Sequence, residues 1–164
     1  MITIRQALLD DLASITRIYN EAVLNTTATF DTEPKSVEEQ NTWLAVHSSQ
    51  YPVLVAEQDG RVVGWASLSR WSDRCAYSRT AEVSLYVESG QRGKGTGRKL
   101  LGVILLEGRK EKLHTVIARI VAGNQTSIHL CESHGFTQIG VMKEVGNKFG
   151  RFLDVVLMQK IYPY

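Results

Sequence analysis

An apolar strand that passes into an amphipathic helix through a glycine-rich turn constrains this chain more than any other feature. The strand is Ala81 to Val87. Leu100, Leu101, Ile104 and Leu105 carry the helix to about Lys112, and Arg92-Gly-Lys-Gly-Thr-Gly97 lies between the two. Strand, turn and helix in direct succession belong to chains that pack helices on a sheet. Glycines let the backbone bend sharply and approach a ligand closely. A helix N-terminus adds outward N–H groups and the positive end of its dipole, which suits a phosphate or pyrophosphate. Arg92, Lys94, Arg98 and Lys99 surround the turn with positive charge. It is not a Walker A loop, because Gly95 follows Lys94, and the dinucleotide fingerprint needs a different glycine spacing. Taken alone, such a turn serves equally well as a surface entry to a helix.

The rest of the chain alternates strands and helices without a repeat, linker or low-complexity segment. Ile2 to Gln6 alternates apolar and polar residues as a strand does, and Leu12, Ile15, Ile18, Ala22 and Val23 recur at helical spacing. Thr26 to Glu33 is a loop. Ser36 and Glu39 have the form of a capping box that opens a helix through His47. Asp59-Gly60 separates strands Tyr51–Glu57 and Arg61–Leu68, the strongest hairpin signal in the chain. A polar loop, 72–79, precedes the Ala81 strand. Further on, Val116 to Val121 is a strand, Asn124 to His134 a short helix stopped by Gly135, and Phe136–Lys143 and Phe152–Lys160 are strands around a polar tip at 144–150. The order β-α-α-β-β-β-α-β-α-β-β predicts an α/β (α+β) fold, a mixed sheet with helices on both faces.

Composition narrows the class. The 164 residues fit one domain, 1–164, and carry 19 Lys and Arg against 17 Asp and Glu, a formal charge of +2. That balance gives no sign of a nucleic-acid or membrane surface. No apolar run approaches the roughly 20 residues that span a bilayer, and the start has neither the basic leader nor the apolar stretch of a signal peptide. Cys75 and Cys131 are too few for a disulfide framework or a four-cysteine zinc site. The expectation is a reduced, cytoplasmic enzyme or binding module without a metal.

R-x-x-G-x-G at Arg92, Gly95 and Gly97, the strand Ser84-Leu-Tyr-Val87 and Asn124-Gln-Thr-Ser127 resemble the GCN5-related N-acetyltransferases (GNAT). The resemblance extends over essentially the whole chain. It implies a mostly antiparallel seven-stranded sheet with about four helices, and acetyl-CoA as co-substrate. The turn, Arg92, Gly93, Lys94, Gly95, Thr96, Gly97 and Arg98, would hold the pyrophosphate, while Leu85, Tyr86 and Val87 would pair with the pantetheine arm. Asn124 and Ser127 would bond to that arm, although Asn124 is equally a good helix cap. Thr27 to Pro34, the loop after Trp71, Thr80 to Val87 and Gly146 to Asp154 look like the phosphinothricin and methionine sulfoximine acetyltransferase subfamily. Membership there implies a small amino-acid-like amine as acceptor and a homodimer.

Acetyl transfer to an amine needs a base for the ammonium proton and donors for the developing oxyanion. Glu82, a carboxylate inside an apolar strand, is the expected base, since partial desolvation would raise its proton affinity. The subfamily places its catalytic glutamate at this position. The alternative is an edge glutamate in solvent or paired with Arg79. By resemblance, the N–H of Val87 or a neighbour is the oxyanion donor. Where many relatives carry a tyrosine acid, and this subfamily often a histidine, this chain has Cys131, a weak donor that also suits a buried structural role. For the acceptor, Arg74 is the candidate cation for a carboxylate or phosphinate. It lies in the loop with Cys75, Ala76 and Tyr77, and Phe30 adds an apolar wall. Lys148 and Phe149, on the 146–150 tip, would contribute from a partner subunit. Other readings are a GNAT enzyme for a protein N-terminus, polyamine or aminoglycoside, and a non-catalytic acyl-CoA-binding module, which would not need Glu82.

Overall fold

The computed structural model describes residues 1–163. Seven strands, β1 (Ile2–Gln6), β2 (Val53–Gln58), β3 (Arg61–Arg70), β4 (Thr80–Val87), β5 (Thr115–Val121), β6 (Thr137–Lys148) and β7 (Arg151–Ile161), form one sheet in the order β1-β2-β3-β4-β5-β7-β6. Every neighbouring pair is antiparallel except β4–β5, which is parallel. Four α-helices accompany it: α1 (Leu12–Asn25), α2 (Val37–Ala45), α3 (Thr96–Lys110) and α4 (Gln125–Glu132). This is the mixed α/β architecture expected from the order of elements.

The helices divide between the two faces. Leu100, Leu101, Ile104 and Leu105 of α3 join Ile128 and Cys131 of α4 in one core, while Ile15 and Ile18 of α1 pack with Val55 and Trp65 on the other face. Each fully buried aliphatic side chain contributes roughly 1.5–3 kcal/mol, so α3, with four, is a principal anchor of its face.

Local chemistry sets the boundaries. Asp59 and Gly60 both take positive φ, 53° and 76°, and join β2 to β3 in two residues. Ser36 Oγ accepts from Glu39 N–H at 3.1 Å and Glu39 Oε2 accepts from Ser36 N–H at 2.7 Å, which completes the capping box of α2. The chain departs from expectation at residues 144–150. In place of a polar tip, β6 and β7 continue almost to each other and turn through Phe149 and Gly150. The extra length holds a bulge. Met142 pairs with Val155 and Gly146 with Leu153, so four steps on β6 face two on β7. Glu144 sits at φ 53° within it, and its N–H donates to Asp154 Oδ1 at 2.8 Å.

Candidate active site

The site begins where two strands part. β4 and β5 pair only from Thr80↔Thr115 to Glu82↔Ile117. Beyond Glu82 they diverge, and a cleft of about 510 Å³ opens between them. On its other side, β4 is paired with β3 throughout. Glu88 N–H bonds to Val63 C=O and Trp71 N–H to Thr80 C=O, so even-numbered residues of β4 face β3. By strand alternation, Val83, Leu85 and Val87 turn their N–H and C=O to the β5 side. The last rung, at Glu82↔Ile117, takes Val83 N–H, and Arg92 takes Val87 C=O. That leaves Val83 C=O, both groups of Leu85 and Val87 N–H facing the gap. A row of backbone groups without a neighbouring strand is a template for an extended, amide-bearing ligand. Tyr86, expected beside Leu85 and Val87, reaches the cleft with its side chain only; its backbone is turned to β3.

The glycine turn lies beyond the end of β4. Gly93 and Gly95 take φ of 75° and 83°, and a Cβ on either would meet no protein atom within 4 Å. The first backbone bond of α3 runs from Lys99 N–H to Gly95 C=O, so the N–H groups before Lys99 are left outside the helix. With Lys94 and Arg98 exposed beside them, they make an open anion site. Arg92 donates from Nε to Val87 C=O at 3.1 Å and lies 3.7 Å from Glu21. Asn124 caps α4, its Oδ1 accepting from Ser127 N–H at 3.3 Å, and both side chains line the cleft.

Glu82 stands at the apex of the divergence. Its partner is neither solvent nor Arg79, which donates to Lys112 C=O instead. Arg119 of β5 grips the Glu82 carboxylate with Nε and with Nη2, the latter at 2.7 Å from Oε1. A guanidinium, and not an apolar surround, is therefore the dominant neighbour of this carboxylate. The pairing raises the pKa of Arg119 further, and its Cζ lies 5.7 Å from the centre of the Trp71 ring. Among the described residues, Glu82 is the only carboxylate and Arg119 the only cation on the cleft wall.

Above this pair, loop 26–33 forms the mouth. Tyr19 Oη bonds to Thr29 Oγ1 at 2.9 Å and donates to Asp31, and its ring meets Tyr86 edge-on at 5.2 Å. Burial pushes the Tyr86 phenol up to about 12. Phe30 lines the cleft opposite Met142 and Val145, and its ring lies against Gly146, where any Cβ would overlap it. The β6 bulge also carries Lys148 inward. Only 3% exposed, it donates from Nζ to Thr29 C=O of its own chain at 2.8 Å. That corrects the expectation of a lysine presented to a partner subunit, while Phe149 remains exposed.

Two further expectations change. Arg74, Cys75, Ala76 and Tyr77 are exposed and lie outside the cleft wall. Their loop is tied down at Ser78, whose C=O accepts from Tyr51 Oη and Gln50 Nε2. Cys131 does line the cleft, but it is buried in the α3–α4 core and its thiol is pushed up to about 11 by desolvation. Arg119 and Tyr19 went unrecognised in the sequence. For Arg119 a signal exists, since it interrupts the apolar strand Val116-Ile-Ala-Arg-Ile-Val121 just as Glu82 interrupts its own.

Among the described residues no helix is long and apolar enough to cross a membrane. The acetyltransferase (GNAT) domain model matches residues 4–157. The L-amino acid N-acyltransferase MnaT of Escherichia coli is 40% identical over 158 residues, covering 96% of this chain and 92% of that protein. The L-methionine sulfoximine/L-methionine sulfone acetyltransferase of Pseudomonas aeruginosa is 42% identical over 159 residues, again 96% and 92%. A crystal structure of a GNAT superfamily phosphinothricin acetyltransferase from Sinorhizobium meliloti in complex with acetyl-CoA superposes with a TM-score of 0.94 at 37% identity, over 98% of this chain and 88% of that one.

Proposed function

This chain belongs to the GNAT acetyltransferase family and is an acetyl-CoA-dependent N-acetyltransferase, and within that family we propose that it acetylates the α-amine of a small amino-acid-like acceptor. The acceptors meant are of the methionine sulfone, methionine sulfoximine and phosphinothricin class. The observation that carries the reading is the cleft between diverging β4 and β5, with one carboxylate at its apex and free backbone groups along one wall. The names of the relatives support the acceptor class.

In this reading residues 1–164 are one N-acetyltransferase domain. Leu85 and Val87 pair with the pantetheine arm, and Asn124 and Ser127 bond to it from α4. The open N–H groups at Gly95 to Arg98 hold the pyrophosphate, with Arg92 and Lys94 as charge partners. Glu82 accepts the proton that the acceptor's ammonium must lose before its nitrogen can attack. The N–H of Val87 or its neighbour donates to the thioester oxygen as charge develops there. Acetyl-CoA supplies the acetyl carbon, which bonds to nitrogen as the C–S bond breaks, and coenzyme A leaves as a thiolate. Solvent protonates that thiolate. Cys131 is the poorer candidate for the task, because it is buried in the α3–α4 core, where desolvation pushes its thiol up to about 11, and a thiol is a weak hydrogen-bond donor. Phe30, Met142 and Val145 form the apolar slot for the acceptor side chain.

A second copy of the chain is the partner we propose for β6, an edge strand whose Ile139, Val141 and Val145 are exposed beside Phe149 and Phe152. Sedimentation of the purified chain tests it: a monomer at micromolar concentration overturns that part. The acceptor assignment is tested by thiol release from acetyl-CoA across methionine sulfone, methionine sulfoximine, phosphinothricin, polyamines and short peptides. The α-amino acids should dominate; preference for peptides or polyamines would overturn it.

A further inference from the structure

A cleft with one cation and one anion in mutual contact is matched to a ligand that carries both charges on groups attached to one carbon atom. Arg119 spends two of its five N–H donors on Glu82, and Glu82 spends two of about four lone-pair sites on Arg119. The unused donors and acceptors therefore lie side by side. Arg119 is the more open member, its side chain 52% exposed against 20% for Glu82, so the free edge of the guanidinium is where a ligand can arrive. The Trp71 ring lies within cation–π reach of the guanidinium, its centre 5.7 Å from Arg119 Cζ. Among the described residues no other cation lines the cleft. Lys148 is committed to Thr29 C=O, and Arg74 stands outside the cleft.

We infer that the Glu82–Arg119 pair is a receptor for an amino-acid zwitterion, in which Arg119 binds the acceptor's α-carboxylate while Glu82 receives its α-ammonium. This rests on the acceptor class proposed above and extends it to a residue and a selection rule. An entering zwitterion brings one charge of each sign, so the site stays neutral as the ion pair opens to admit it. A plain amine or polyamine would bring only positive charge beside the guanidinium. Its exclusion thus comes from repulsion at Arg119 as much as from attraction of the correct acceptor. The acceptor's α-carboxylate also fixes the direction of its amine, which must face the thioester at the start of the β4–β5 gap.

The test compares methionine sulfone with its α-carboxamide on wild type, Arg119→Gln and Arg119→Lys. On wild type the carboxamide should show an acceptor KM roughly 10- to 100-fold higher, the range of a charge-assisted hydrogen bond. Arg119→Gln should raise the KM of the acid toward that of the carboxamide, so that the ratio of the two KM values falls toward one whatever the change in kcat that follows from freeing Glu82. Arg119→Lys, with the charge but not the fork, should fall between. A wild type that treats acid and amide alike overturns the inference without recourse to any variant. So does an Arg119→Gln enzyme that keeps the wild-type ratio of the two KM values. If wild type acetylates neither compound but does acetylate polyamines or peptides, the acceptor class itself is wrong and the inference falls with it.

Discussion

Replacing Glu82 by Gln removes the only carboxylate on the cleft wall and very little else. Glutamine has nearly the same shape and can still accept one N–H from Arg119, but its amide N–H₂ must face the second donor of the fork. Because the Arg119 side chain is half exposed, the ion pair is worth at most about 1 kcal/mol of stability. For a chain of this size that limits the fall in Tm to roughly 4 °C. A positioned general base contributes about 10²- to 10⁴-fold, and among the described residues no second carboxylate lines the cleft wall, Asp31 at the mouth being engaged by Tyr19. Steady-state thiol release at pH 7, saturating in both substrates, should therefore show kcat down by about 10²-fold or more. The acetyl-CoA KM should stay within about twofold, since the contacts proposed for it are with the backbone of β4, the glycine turn and α4. The deficit has a signature in pH. At higher pH more of the acceptor arrives as neutral amine and the base matters less, so the variant should close on wild type. A fall in kcat of less than about fivefold with unchanged Tm would refute the base assignment. A large deficit that does not narrow with pH would mean that Glu82 orients the acceptor without taking its proton.

Three other outcomes follow from the same geometry. Gly95→Ala places a side chain at φ 83°, at a strain of about 1–2 kcal/mol, and directs a methyl into the open anion site. Acetyl-CoA KM should rise about tenfold or more while acceptor KM holds; equal KM values would remove the pyrophosphate from this turn. Cys131→Ala should keep kcat within about threefold, because its buried thiol is a weak donor beside solvent, while losing roughly 1–2 kcal/mol of packing in a thermal melt; a kcat collapse with an intact fold would return the acid role to Cys131. His47, its Nδ1 at 2.8 Å from Trp43 C=O, is held below the ordinary 6.5 by burial. As pH falls through about 6.5 the unfolded chain takes up the proton first, so stability contributed by neutral His47 is lost in that direction. Urea titrations at pH 7 and pH 5 should show a smaller loss for His47→Gln than for wild type, and parallel losses would refute the assignment.

What the residues reveal without coordinates divides by range. The Asp59-Gly60 turn, the Ser36–Glu39 capping box and the glycines before α3 are legible because each is decided within a few residues by backbone conformation and local hydrogen bonds. The β6–β7 tip misleads because Lys143 to Lys148 is polar on its surface, yet pairing with β7 and the clamp of Asp154 on Glu144 hold it as a bulged strand. Arg74 is a related case: composition counts a cation near the right strand but does not say that its loop is held at Ser78 and lies outside the cleft wall. The acceptor end of the site depends on a single long-range fact, the loss of β4–β5 pairing after Glu82, which sets Arg119 against a carboxylate 37 residues earlier. Half of that fact was nevertheless visible. A charge set in an otherwise apolar, central strand is costly unless an opposite charge meets it, and Thr80 to Val87 contains one such residue, Glu82. Thr115 to Val121 contains one of the opposite sign, Arg119. Two parallel neighbours that each break their apolar run once imply each other, and that argument needs only the strand order.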